Sequence, residues 1–402
     1  MKMRTLCGTI IAAALSVSCF GALAAEYDVA ASPVPDGMDE CAKLFKDEIA
    51  DGVIHGAAVV AGGLDGNQFS GSWGWADAAH TIPMTTRTVI DMASVTKAAA
   101  GVTAFLVAHA KGIVDFDVPF TNVLHSYRAP LQRSVTIRDL ANHVSGFGEA
   151  DGNHRVYFSS DAKTMLDNIL SMPPREPTRG KVVYSCRNYV ILGQVFEAAT
   201  MQKVDEFCRK EIFGPVGMKD TSFGAPPQGV GPDRLAQTMC TERPGVISDF
   251  VARPLCGAGI GTFNAGMFST AEDMAKLMRV YLRGGIADSG VRIFGAAEMA
   301  EIAPSATNRI EGARSFGWQS FSENLPEELF GTSLFHSGWS GQTVLFDLKR
   351  RRYAVVLTTR CGNYSHAKRV RFAAIAALMA DRNKSEGGVA AELPRFRIIS
   401  PP

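Results

Sequence analysis

Several classes of chemistry are missing from this sequence. Charge of one sign is absent: 41 Lys and Arg stand against 40 Asp and Glu, a net +1. No basic block is present, so the phosphate-neutralising surplus of a nucleic-acid binder is lacking, and no nucleic-acid partner is expected. Metal spacing is absent too, with no C-x-x-C, no H-E-x-x-H and eight scattered histidines; neither a catalytic zinc nor any other metal or cofactor is expected. The G-x-S-x-G elbow of one large serine-hydrolase class does not occur. Gly257-Ala258-Gly259-Ile260-Gly261 fails as a dinucleotide fingerprint, because its third glycine is misplaced and no strand, helix and acidic partner follow. No internal repeat or low-complexity tract is found, and past the first residues no apolar run is long enough to cross a bilayer.

The chain has 402 residues, 46% hydrophobic and 20% charged. That composition excludes disorder, collagen and coiled coil, and it supports a large core without metal or disulfide staples. The start reads as a bacterial-type secretory signal: Lys2 and Arg4, an apolar run from Leu6 to Val17, then Ala22-Leu23-Ala24 as a small-x-small cleavage site. Residues 1–24 are assigned to the signal, which implies a periplasmic or secreted protein with no stable membrane anchor after cleavage. Cys19 is a poor lipid-attachment match, since Ser16 stands three residues before it. Loss of Lys2 and Arg4 leaves 39 basic against 40 acidic groups, a net −1. Six cysteines remain: Cys41, Cys186, Cys208, Cys240, Cys256 and Cys361. They allow 15 pairings, none of which the sequence selects.

The hydrophobic pattern predicts a helix over Asp36 to Ala50, then two strands, Val53 to Gly62 and Gln68 to Trp75, joined near Gly66-Asn67. Near the other end, Ser333 to His336, Thr343 to Asp347 and Tyr353 to Thr359 read as strands, and Ser365 to Asp381 as a closing helix. The expected fold is mixed α/β (α+β): a central antiparallel sheet built from N- and C-terminal strands, covered by helices, with a mostly helical region inserted and a cleft between the two parts. The hydrolase-like domain is set at 25–382, its sheet part about 36–90 and 310–382 and its helical part about 91–309. Residues 383–402 read as a loose tail.

Three segments carry candidate chemistry. In Ser94-Val95-Thr96-Lys97 a hydroxyl and an amine three residues apart share one helix face, so Lys97 can activate Ser94 as a nucleophile. The spacing alone is common; Ser160/Lys163 and Ser365/Lys368 share it, but in polar surroundings suited to solvated helix ends. Ser94 instead opens an apolar helix, where an unused lysine is costly. In Tyr184-Ser185-Cys186 a phenol held between cations can shuttle protons, although a lone tyrosine is more often a core residue. In His336-Ser337-Gly338-Trp339-Ser340-Gly341 two glycines let a strand edge approach a ligand and offer backbone N–H groups to an oxyanion; read by itself it is a hairpin turn.

Together, in this order, the three segments resemble the serine β-lactamase and penicillin-binding protein superfamily, on its class C, DD-peptidase and esterase branch. The likeness runs from about Asp36 to Met379 and includes Thr136-Ile137-Arg138-Asp139-Leu140 with His143-Val144-Ser145-Gly146, Phe213 to Met218 with Asp220-Thr221-Ser222, and Ala265 to Asp273. It implies a β-lactamase/transpeptidase-like fold and a two-step acyl transfer. In that scheme Ser94 is the nucleophile, Lys97 and Tyr184 manage protons, and the N–H groups of Ser94 and Trp339 form the oxyanion hole. His336, with Ser337 and Gly338, takes the place of the usual lysine segment, and its charge is expected to change in the physiological pH range. The implied partner is a small ester or a D-amino-acid peptide such as a cell-wall fragment; oligomeric state is not legible.

Two departures bear on substrate. Relatives commonly carry Asn where Cys186 stands, and a thiol cannot copy both of its hydrogen bonds; this speaks against efficient β-lactam hydrolysis. Thr359 before Arg360, where relatives often carry Asn, puts recognition of a substrate carboxylate in question. A weakly catalytic protein that holds cell-wall peptides or penicillins is the competing reading, and a class C-like β-lactamase a further one.

Overall fold

The computed structural model describes residues 38–131, 133–147, 157–174, 181–305 and 307–380. The signal segment 1–24, Cys7, Cys19, Asp36 and the tail 383–402 lie outside these residues. Seven strands form one antiparallel sheet in the order β2-β1-β10-β9-β8-β7-β6: β1 Gly56–Gly63, β2 Gly66–Gly74, β6 Arg314–Ser315, β7 Trp318–Gln319, β8 Ser333–Ser337, β9 Gln342–Asp347 and β10 Arg352–Thr358. The expected junction of chain ends is therefore observed, with Ala57 opposite Thr358 and Gly63 opposite Arg352. A second sheet, order β3-β5-β4, comes from the middle of the chain: β3 Ile90–Asp91, β4 Ser222–Phe223 and β5 Met267–Ser269.

The large sheet is covered on both faces, which explains why β1, GAAVVAGG, is buried throughout rather than alternating. Ala57, Val59 and Ala61 face one core with Val356 and Leu345. That core is closed by helices α1 (Met38–Ala50) and α5 (Tyr364–Met379), through Cys41, Phe45, Phe372 and Ile375. Ala58 and Val60 face the other core with Val355, Leu357 and Phe346, under helix α4 (Ala271–Leu282). Thus α4, although it belongs to the inserted region, packs on the sheet. Its N-cap Thr270 accepts from the Asp273 N–H, and Tyr281 stacks on Phe346 with ring centroids 4.8 Å apart.

Two further helices position the site. Helix α2 (Thr103–Ala110) is entered through a π-wound stretch, Lys97–Val102, in which Ala98, Ala99, Ala100 and Gly101 are all buried. Helix α3 (Cys186–Thr200) is capped by Ser185, whose Oγ accepts from the Arg187 N–H. One covalent link that the sequence left open is present: Cys240 and Cys361 form a disulfide, tying a loop of the inserted region to the end of β10. Cys41, Cys186, Cys208 and Cys256 are not bridged. No helix of the described residues is long and apolar enough to cross a membrane.

Candidate active site

Strand β3 leads into Ser94, the candidate nucleophile. After Asp91 the chain turns through Met92 and Ala93, and Ala93 sits at φ +44°, a left-handed conformation that costs a non-glycine residue strain. The turn is locked from both sides. Met92 N–H donates to the Met267 carbonyl at 2.8 Å, Val95 N–H to the Met92 carbonyl at 3.0 Å, and Met267 N–H to Thr96 Oγ1 at 3.2 Å. Asp91, wholly buried, accepts from Ala93 N–H at 3.2 Å, from Ser248 N–H at 2.8 Å and from Ser248 Oγ at 2.5 Å. Burial pushes its carboxyl up to about 6, against the pull of those hydrogen bonds.

Ser94 lies on the wall of a cavity of about 550 Å³ between the sheet and the inserted region, the cleft expected from the topology. Lys97 Nζ donates to Ser94 Oγ at 3.1 Å and to the Asn264 carbonyl at 2.7 Å. Tyr184 OH donates to Ser94 Oγ at 2.7 Å. Its residue is 43% exposed to the cavity, while its hydroxyl is set inward, and burial raises the phenol above its ordinary value. Lys97 is fully buried; burial by itself disfavours its charge, but Cys186 and then Tyr184 outweigh it and hold the ammonium above its usual range. Serine, lysine and tyrosine thus meet at one oxygen, and their protons form one coupled system.

Tyr184 is held by a buried histidine that the sequence noted only in passing. His143, itself at φ +58°, accepts at Nδ1 from the Ser185 N–H at 3.2 Å and the Asn188 side-chain amide at 3.0 Å. Its carbonyl takes Val183 N–H at 2.9 Å. Burial, then the charges of Arg314 and Lys97, keeps its imidazole well below the usual histidine range and so neutral. Cys186 opens α3 beside this loop, with Sγ 3.6 Å from Lys97 Nζ.

The opposite wall is the turn between β8 and β9. Gly338 N–H donates to the Gln342 carbonyl at 2.7 Å. A Cβ on Gly338 would lie 2.5 Å from Gln342 Oε1 and 3.0 Å from the Met92 carbonyl, so only glycine lets this turn approach the Ser94 segment. Arg371 on α5 clamps it from beneath, donating from Nε to Thr343 Oγ1 at 2.9 Å and from Nη2 to the Gly338 carbonyl at 3.2 Å. Ser337 Oγ lies 3.0 Å from the same Thr343 hydroxyl. Trp339 projects from the turn with the Arg360 guanidinium 4.4 Å over its ring.

His336 corrects one expectation. It lines the cavity but is nearly fully buried, with Nδ1 3.1 Å from the Ser337 carbonyl and Nε2 without a partner. Burial, followed by the charges of Arg314 and Lys97, drives it well below the ordinary histidine range. It is neutral at physiological pH instead of titrating there. Thr359 does not reach the cavity: its hydroxyl accepts the N–H groups of His55 at 3.1 Å and Gly56 at 3.0 Å. Of the two other Ser/Lys pairs, Ser160 and Lys163 are exposed away from the cavity. Lys368, by contrast, turns into it beside Glu311, 3.8 Å away. Asn264, Arg314, Arg371 and the anchoring role of Asp91 were not legible, since each acts from a distant segment that no local motif marks. Among the described residues His55, Cys240 and Cys361 bring metal-ligand atoms together, but both sulfurs are committed to the disulfide.

The family model described as Beta-lactamase matches residues 41–378. The chain belongs to this family. Curated relatives include a Salmonella gallinarum protein described as "Putative D-alanyl-D-alanine carboxypeptidase", 28% identical over 327 residues, covering 72% of this chain and 75% of that protein. Among solved structures, a penicillin-binding protein homologue from Caulobacter crescentus superposes with TM-score 0.66 at 19% identity, covering 86% of this chain and 99% of the other. A family VIII carboxylesterase gives 0.64 at 20% identity, with 86% and 99% covered. A class C β-lactamase from Rhodobacter sphaeroides gives 0.59 at 19%, with 85% and 99% covered. These neighbours share the β-lactamase/transpeptidase fold.

Proposed function

We propose that this protein is an exported serine hydrolase acting through an acyl-serine on a small carboxylic ester or a D-amino-acid peptide. The observation that carries the reading is the meeting of Lys97 Nζ and Tyr184 OH on Ser94 Oγ, inside a substrate-sized cavity. Ser94 Oγ adds to the carbonyl carbon while its proton passes into the Lys97–Tyr184 pair. The pair accepts that proton only when it is one proton short; because Lys97 favours its charged form, the reactive state is ammonium with phenolate, in which the ammonium stabilises the phenolate until it takes the serine proton. The oxyanion takes the N–H groups of Ser94 and Trp339. The bond to the leaving group then breaks, the pair returns the proton to that group, and water releases the acyl chain by the same route in reverse.

Export is part of the proposal, and the Cys240–Cys361 disulfide supports an oxidising location. A second reading, a penicillin or cell-wall-peptide holder with little turnover, is favoured by Cys186 in the place of asparagine beside Lys97. Time-resolved intact-protein mass spectrometry separates them, with p-nitrophenyl butyrate and benzylpenicillin as acyl donors. The expected result is a transient ester-derived adduct that decays as product accumulates and is absent in Ser94→Ala. A penicillin adduct that persists, with no ester turnover, supports the holder instead. Equal turnover by Ser94→Ala defeats the serine mechanism.

A further inference from the structure

We infer that Arg314, seconded by Lys368, forms an anion subsite in the cavity, so that the acyl donors preferred at Ser94 carry a carboxylate. This deepens the proposed reading of Ser94 as nucleophile and rests on it.

Arg314 sits on β6 at the edge of the sheet and lines the same cavity as Ser94. Its guanidinium lies 5.7 Å from the ring of Tyr184, whose hydroxyl touches Ser94. Nη1 donates to the Gly317 carbonyl at 2.9 Å, but Nε is buried with no partner. Among the described residues no carboxylate comes within ion-pair distance of this cation. Arg314 as a whole is half-buried, but its Nε is cut off from solvent, and a desolvated cationic donor without a partner is costly unless a ligand supplies the acceptor. The site carries that cost beside two further cations, Lys97 and Lys368.

Glu311 and one oxygen of Asp249, Oδ1, are already engaged. Asp249 accepts the Val251 N–H at 2.9 Å, the Ala252 N–H at 2.7 Å and the Asn264 amide at 3.0 Å. Glu311 accepts Ser322 Oγ at 3.1 Å and the Glu323 N–H at 2.7 Å, and it faces Lys368. Other places where an anion could be read are closed. His336 is neutral, Thr359 is turned to the start of β1, and Arg360, whose Nε also lacks a partner, is stacked on Trp339 with Nη1 on the Gly362 carbonyl at 3.2 Å and does not line the cavity. Arg314 is left as a fork of donors with no carboxylate in direct contact, Glu311 acting on it only from longer range, and that fork is the geometry best suited to a carboxylate.

The test compares two aryl esters of similar length, the p-nitrophenyl half-ester of glutaric acid and neutral p-nitrophenyl valerate, on the full chain. Wild type is expected to favour the half-ester in kcat/KM by about tenfold or more, a preference that shrinks with added salt. In Arg314→Gln the half-ester loses about tenfold or more, chiefly through KM, while the neutral ester stays within about threefold. Arg314→Lys recovers part of the loss. Lys368→Met, at a more exposed position, shows the same selectivity at smaller size and serves if Arg314→Gln does not fold. Equal losses on both esters make Arg314 structural and overturn the inference, as does a wild type without acid preference that still forms a Ser94 adduct with the neutral ester. If neither ester acylates Ser94, the nucleophile assignment falls and the subsite falls with it.

Discussion

Asp91 shows how a single buried carboxylate can govern a site it never touches. One oxygen accepts Ala93 N–H next to Ser94; the other accepts Ser248, whose hydroxyl lies 3.4 Å from Ser340 in the opposing turn. With its pKa near 6 in the folded protein, against about 4 in an unfolded chain, the native state keeps a proton that the unfolded chain has released. The contribution of this group to stability is therefore greatest below about pH 4, falls as pH rises to about 6, and is level above. Relative to Asp91→Asn, which cannot titrate, wild-type stability is expected to drop by about 3 kcal/mol across that window. Urea unfolding at several pH values measures it, and a pH-independent difference between the two proteins contradicts it. The sequence displayed Asp91 only as a letter before a Ser-x-x-Lys spacing. Ser94, Lys97 and Tyr184 were legible because their chemistry needs particular residue types, whereas a carboxylate's burial and partners come from chain segments more than 150 positions away.

Elements decide how closely the reactive groups meet. The turn between β8 and β9 reaches the nucleophile segment because Gly338 has no side chain, a use of glycine that its sequence context suggested without fixing. In Gly338→Ala the added methyl must displace the Gln342 amide or the Met92 backbone. Loss of oxyanion geometry then predicts a fall in kcat of about a hundredfold, with destabilisation of only about 1–3 kcal/mol. Turnover and urea unfolding together test this; a loss of folding as large as the loss of rate refutes it. Five strands of the large sheet and the outer helices were legible from their apolar patterns, to within a few residues at each end. Strands β6 and β7 and the small sheet of β3, β4 and β5 were not, since strands of two or three residues carry no period to read. Nor did amphipathicity show that α4 rests on the sheet, because a helix stripe records that a face is buried and not against what.

Across the whole molecule, the disulfide joins the inserted region to the sheet next to the residue that stacks on Trp339. It closes a loop of 121 positions, and constraining that much unfolded chain predicts a loss of about 2–5 kcal/mol in the Cys240→Ser/Cys361→Ser double variant. Chemical denaturation with and without reductant checks the sign: reductant destabilises wild type and leaves the variant unchanged. The sequence supplied the cysteines, but their pairing depends on the approach of two loops that only the assembled chain defines.

The same assembly sets an order of events during synthesis. Gly56 at the start of β1 bonds to Thr359, 303 positions later, and β10 lies between β1 and every other strand of its sheet except β2. A ribosome therefore completes the first hairpin and the entire inserted region before the strand that fills the gap exists. Until then β1 offers an open, wholly apolar edge to whatever lies near it, so the time between making the first hairpin and finishing the last strand is when this chain is most exposed to aggregation and most in need of a holding partner.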